Sequence, residues 1–178
     1  YTLSLHDALP ICRMQGGMIE LPIPPFPTGV MRGRFNPRDA QLYLCGMFAW
    51  AGSATYPGGL YRLRATGQPM HLPVELHAKK SGMELTFTEA LSRDSVKPDN
   101  VHIKVWDLKR TANYGSQHYN ERELTISETQ LSADGKTLKI MIPELAPTWC
   151  MEIRYNLQTS DGKPVDGIIH NTIHELAD

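Results

Sequence analysis

Two histidines near the end of the chain have the spacing of a metal site. His170 and His174 occur in the sequence HNTIH, and a separation of four residues chelates zinc when both lie on a helix. Ile169 and Ile173 fit a strand instead, on which the two Cα atoms would lie about 13 Å apart. Two ligands of one zinc ion must each approach it to about 2.0–2.1 Å. The pair is therefore interpreted as solvent-facing histidines, and no metal site is predicted.

A second candidate is the acidic segment DGKPVDG at 161–167, which contains two Asp-Gly pairs. Calcium loops of the EF-hand type need more oxygen ligands and a terminal glutamate, and this segment lacks both. Asp-Gly is also a strong signal for a tight turn between strands. The segment is therefore predicted to be a hairpin loop.

The most informative segment is the insert Lys109–Glu123, which has tyrosines, a histidine, an arginine and several amides but almost no aliphatic residues. Tyrosine and arginine supply much of the energy at binding surfaces. The insert is read either as a solvated loop packed against its own or a neighbouring domain, or as a site for a partner or ligand. The candidate binding residues are Trp106, which precedes and could anchor the insert, and Arg110, Tyr114, His118 and Tyr119.

Catalysis has weaker support. Ser116 and His118 would share one face of an extended strand, but the sequence places no acid to orient the imidazole. The chain has no GxSxG elbow, no Walker or GxGxxG loop and no CxxCH haem-attachment motif. We therefore predict no catalytic residue and no cofactor site in this sequence.

Composition narrows the class of protein. The 178 residues are 41% hydrophobic and 21% charged, as in a soluble globular protein, and no apolar run approaches the roughly 20 residues of a membrane span. Segment 12–70 has six basic and two acidic residues, whereas 71–178 has twelve and sixteen. Neither balance predicts a nucleic-acid surface. Three cysteines without CxxC spacing leave the redox compartment open.

Residues 71–178 alternate apolar and polar positions in about seven short strands, which is the size of an immunoglobulin-like sandwich. The stretches MELTFTEALSRDSV, LSADGKTLKIMIPELAPTW and MEIRYNLQTSDGKPVDG resemble the bacterial immunoglobulin-like domains appended to secreted enzymes and surface proteins. The fold class implied is all-β. The long insert departs from that pattern.

Residues 12–70 read differently. Four prolines make Cys12–Thr28 an expected extended connector, and three strands are predicted at 30–35, 41–46 and 60–65. The run GVMRGRFNPRDAQLYLCGMFAWAG…PGGLYRLRATGQP resembles the last β-propeller blade of bacterial sugar-dehydrogenase-like proteins. The resemblance implies a remnant of a blade in a periplasmic or extracellular redox protein. Its cofactor, pyrroloquinoline quinone or haem c, and the rest of its propeller would lie upstream.

Residues 1–11, YTLSLHDALPI, resemble the in-frame translation of a common sequencing adapter, whose eleven codons match in order. We treat this segment as an artefact that makes few native contacts.

The sequence as a whole favours a C-terminal structural or interaction module without catalytic activity, packed beside the upstream propeller. Two alternatives stay open. In one, the insert completes the active site of the parent protein. In the other, the domain binds carbohydrate and uses Trp106, Tyr114 and Tyr119 as stacking platforms.

Overall fold

The computed structural model describes residues 2–7, 15–48 and 54–178. The regular elements in these ranges are β-strands and one 3-10 turn at Pro98–Asn100, so the predicted all-β class is confirmed. The strands are β1 (Thr2–Asp7), β2 (Gln15–Glu20), β3 (Gly29–Phe35), β4 (Leu42–Met47), β5 (Gly58–Leu63), β6 (Pro73–Lys79), β7 (Gly82–Phe87), β8 (Val101–Asp107), β9 (Tyr119–Glu123), β10 (Glu128–Leu131), β11 (Thr137–Met141), β12 (Thr148–Gln158) and β13 (Pro164–Ile173).

The chain divides into two compact units. Unit 1 comprises Tyr1–Leu21 and Met70–Asp178, and unit 2 comprises Pro22–Pro69. Unit 1 contains a six-stranded antiparallel sheet in the order β1-β2-β13-β12-β8-β9 and a four-stranded one in the order β10-β11-β7-β6. Unit 2 contains the three-stranded sheet β3-β4-β5.

The two sheets of unit 1 bury one common hydrophobic core. Alternation produces it: Leu138 and Ile140 of β11 are fully buried, whereas Lys139 between them is exposed. From the other sheet, Tyr155 meets Phe87 edge to face at 5.5 Å. Burial of this phenol raises the pKa of Tyr155 to about 12. The predicted Asp-Gly turn joins β10 to β11, with Gly135 at φ 77°, a conformation that favours glycine.

The connector predicted at Cys12–Thr28 is wrong for Gln15–Glu20, which forms β2 between β1 and β13. The four prolines lie after this stretch, so its backbone donors are free to pair. Gly17 lets β2 lie close to the Ile169 side chain of β13, because a Cβ at this position would be only 3.2 Å from that side chain. Ile19 is 2% exposed and belongs to the core.

The expectation of few native contacts is also wrong for Thr2–Asp7, which pairs along its whole length with β2. Residues 8–11 lie outside the described ranges. The resemblance of 1–11 to an adapter concerns the origin of the segment and stays a prediction.

Unit 2 is a meander with little interior. Phe26 of the proline-rich segment packs on Tyr61 with ring centroids 4.7 Å apart, and the Thr28 hydroxyl donates to the Tyr61 hydroxyl at 2.9 Å. Leu44 is 8% exposed, but several large apolar side chains in the described part of this unit lie mostly in solvent. Those more than half exposed are Met31, Phe35, Met47, Phe48, Tyr56 and Leu60.

Candidate functional site

The insert begins where β8 ends and returns to the same sheet as β9. Its second part was expected to be loop, but Tyr119–Glu123 pairs with β8, with Lys104 opposite Glu123. The sequence YNERE lacks the apolar alternation of a strand because β9 is an edge strand, exposed over most of its length. The part of the insert that lies outside β9 is therefore residues 109–118.

The base of this loop is fixed by a ring stack on the outer face of the sheet. Val105 points into the core, so its neighbour Trp106 points outward, yet Trp106 is only 8% exposed. The His118 imidazole covers it, with centroids 4.2 Å apart and planes 15° from parallel. Trp106 therefore lies under the insert as an anchor.

An acid and a base complete the stack. The Glu121 carboxylate contacts His118 Nδ1 at 2.5 Å and Lys104 Nζ at 3.3 Å. The hydrogen bond with His118, followed by that with Lys104, lowers the pKa of Glu121. Lys104 also lies 5.9 Å from the centroid of the Trp106 ring. These four side chains form what we call the stem cluster: Lys104, Trp106, His118 and Glu121.

Further contacts tie the two ends of the loop together. Lys109 Nζ lies 4.3 Å from the centroid of the Tyr119 ring, within the range of a cation–π interaction. The Asn120 side-chain amide donates to Asp107 at 2.8 Å. Asn120 has a φ of 51°, a left-handed conformation that asparagine tolerates better than most residues.

The tip of the loop is open to solvent. Tyr114 has its whole side chain exposed, and Arg110 is exposed as well. Beside Tyr114 lies a groove of about 450 Å³. It is lined by Lys109, Thr111, Asn113, Tyr114, Gly115, Ser116, Gln117 and Tyr119.

The structure thus places four of the five predicted binding residues in two separate sets. Trp106 and His118 belong to the stem, Tyr114 and Tyr119 line the groove, and Arg110 is not part of its lining. Sequence reasoning missed Lys104 and Glu121. Their roles depend on the cross-strand register of β8 and β9, although an acid three residues after His118 was a signal that could have been weighed.

The Ser116 hydroxyl is hydrogen-bonded to backbone groups rather than to the His118 ring. This hydroxyl donates to the Gln117 carbonyl at 2.9 Å and accepts from the Lys109 amide at 3.1 Å. The geometry therefore couples the imidazole to an acid and an aromatic ring, and couples the hydroxyl to backbone.

The other histidines hold separate positions. His170 is exposed on β13 opposite Glu152 and Met18, while the His174 ring meets Trp149 edge to face at 5.9 Å. Within residues 2–7, 15–48 and 54–178, no cluster of three His, Cys, Asp or Glu side chains is arranged to hold a metal ion. No helix in the same ranges is long and apolar enough to cross a membrane.

Comparisons with protein-family models, curated proteins and solved structures find no match for this chain.

Proposed function

We propose that this chain is an interaction module without catalytic activity, in which a β-sandwich presents the insert to a partner. The observation that carries the proposal is the contrast between the two ends of the loop. Its base is held by the stem cluster, whereas Tyr114 at its tip is fully exposed. A fixed base lowers the entropy lost on binding, and an exposed tyrosine offers a large contact area.

Strand order supports an immunoglobulin-like reading of the sandwich. The sheet β6-β7-β11-β10 corresponds to strands A-B-E-D of the constant-type domain, and β8-β12-β13 corresponds to C-F-G. In this reading β9 is an added strand beside C, and β2 with β1 extends the sheet beyond G. Residues 109–118 of the insert then form the connection between C and the added strand.

The parent in this proposal is a periplasmic or extracellular redox protein with an upstream propeller. Its support is the resemblance of 29–69 to a propeller blade and the open apolar surface of unit 2, which suits strands supplied by neighbouring blades. Pyrroloquinoline quinone or haem c would belong to the parent.

The alternative in which the insert completes an active site gains one argument from the stem. A histidine held by a carboxylate is the arrangement of a general base with its orienting group. The stacked Trp106 and the bonded Ser116 fit a structural stem better, because the ring stacks on Trp106 and the Ser116 hydroxyl is bonded to backbone groups.

Carbohydrate binding is favoured by the composition of the groove. Two phenols, two amides and two hydroxyls line it, without a carboxylate, and its size suits one or two sugar rings. The three-ring platform predicted from the sequence loses Trp106, which lies beneath His118. Tyr114 and Tyr119 would carry any stacking.

The test uses the full-length parent with Tyr114→Ala and His118→Ala, and Tyr56→Ala as a control at an exposed tyrosine of unit 2. We expect weaker binding to the partner or lower stability for the insert variants, with turnover changed less than about 10-fold. A fall in turnover of about 10³-fold at unchanged stability would instead assign chemistry to the insert. Carbohydrate binding predicts that soluble oligosaccharides protect wild type, but not Tyr114→Ala, against thermal unfolding.

A further inference from the structure

Unit 2 has one face that differs sharply from the other. Cross-strand partners point to the same side of a sheet, so the register of β3, β4 and β5 defines two rows on one face. One row is Arg34, Tyr43 and Arg62, and the next is Arg32, Cys45 and Leu60. We call these six residues the arginine face.

The opposite face is apolar. Its rows pair Phe35 with Leu42 and Leu63, and Gly33 with Leu44 and Tyr61. The Thr28 hydroxyl and the Phe26 ring reach Tyr61 on that side. The proline-rich segment therefore covers part of the apolar face of its own unit.

The arginine face carries a charge that the unit itself does not balance. Residues 22–69 contain five arginines and one acid, Asp39. Asp39 accepts a hydrogen bond from the Tyr43 hydroxyl at 2.9 Å. The hydrogen bond from the Gln41 backbone amide is the main cause that lowers the pKa of Asp39, and the charge of Arg62 makes a smaller contribution. Of the three exposed guanidinium groups on this face, that of Arg62 interacts with Asp39.

The three arginine charges are close enough together to act jointly on an acidic surface. Arg34 and Arg62 lie two strands apart, about 10 Å, and Arg32 lies two residues from Arg34, about 7 Å. These separations are near the screening length at physiological salt, so an approaching surface meets the summed field of all three. Each guanidinium can also bind a carboxylate in a bidentate manner.

The uncharged members of the face indicate the kind of partner. Leu60 is 76% exposed, Cys45 is exposed and Tyr43 is half-buried, so aliphatic and aromatic surface lies between the cations. Protein interfaces combine arginine and tyrosine with apolar area in this way. A polyanion recognised through its charges alone would not need Leu60. We propose that the arginine face docks an acidic protein surface bearing several Asp or Glu residues.

The proposal is tested on the whole chain with a fluorescein-labelled decaglutamate peptide, followed by polarisation at about 50 and 200 mM NaCl. Wild type should bind, and R32E/R34E/R62E should bind at least about 10-fold more weakly. The control R93E/K97E/R122E makes the same change in net charge at exposed positions of unit 1. It should change affinity less than about 3-fold. Circular dichroism verifies folding, and R32Q/R34Q/R62Q replaces the first variant if it unfolds.

Three outcomes would overturn the proposal. If wild type does not bind the peptide at either salt concentration, the proposed docking of an acidic protein surface is wrong. An equal loss of peptide affinity in both triple variants would show that binding depends on net charge and not on the arginine face. Binding of dextran sulfate that is lost on R32E/R34E/R62E, in the absence of peptide binding, would assign the face to an anionic polysaccharide instead.

Discussion

Asn171 sits in the core of unit 1 with an unsatisfied amide. It is 6% exposed and lies between Ile169 and Ile173 on the buried face of β13. Within the described residues, neither its oxygen nor its nitrogen has a hydrogen-bond partner. A buried polar group in this state costs free energy, and replacing it with an apolar group of similar size removes that cost.

We therefore expect Asn171→Leu to raise the free energy of unfolding by about 1 kcal/mol. The matched control is Asn100→Leu, because the Asn100 amide donates to the Ser95 carbonyl at 2.7 Å. That control should lower stability by about 1 kcal/mol. Urea denaturation measures both, and a loss of stability in Asn171→Leu would show that the amide is paired in solution.

Glu152 links stability to pH. It is 9% exposed on the outer face of the six-stranded sheet, where Arg154 Nε donates to it at 2.7 Å. This bond, with the nearby charges of Lys104 and His170, lowers the pKa of Glu152. A carboxyl whose pKa is lowered on folding stabilises the protein above its unfolded pKa and loses that contribution as pH falls.

We expect the stability of wild type to decline as pH falls below about 4.3, the unfolded pKa of glutamate, and the decline to be smaller in Glu152→Gln. Glu128→Gln, at an exposed position of β10, serves as the control and should follow the wild-type curve. Urea unfolding between about pH 3 and 7 measures the three profiles. Parallel curves for wild type and Glu152→Gln would exclude this role for the ion pair.

Strands with regular alternation could be predicted from the sequence, and those without it could not. β7 and β11 bury every second residue, so their position and facing follow from composition. β2 has two glycines and few apolar residues, so its pattern is weak. The prolines that follow it led to the prediction of a connector instead of a strand. β9 has no apolar face from which a strand could be predicted. The register of β9 against β8 also brings Glu121 to Lys104. Because β9 could not be predicted, the contact between these two members of the stem cluster could not be predicted either.

The two N-terminal strands are expected to differ in their contribution to stability. Deleting residues 1–11 removes an edge strand and should leave the thermal midpoint within about 2 °C of wild type. Deleting residues 1–20 also removes Ile19 from the core and should lower the midpoint by several degrees. Differential scanning calorimetry compares the two. A drop of several degrees for the shorter deletion would show that β1 contributes to stability as β2 does.

The two units differ in how much they can stabilise themselves. Unit 1 has two sheets around one core, whereas the described part of unit 2 buries Leu44 and leaves six large apolar residues more than half exposed. Expressed separately, 71–178 should unfold cooperatively, at a lower midpoint than the whole chain because β2 is missing. Residues 12–70 should show no cooperative transition. A cooperative transition for isolated 12–70 would contradict the reading of this segment as a blade remnant.

The route of the chain around unit 2 has a consequence for cleavage. Residues 22–69 leave unit 1 after β2 and return before β6, and these two strands belong to different sheets. A protease cut anywhere in that excursion severs the covalent link to β2 but leaves its hydrogen bonds to β13 and the buried Ile19 intact. The nicked molecule would then be a complex of two fragments. An added peptide with the sequence of Gln15–Leu21 would compete with β2 for the edge of β13 and exchange with the original strand.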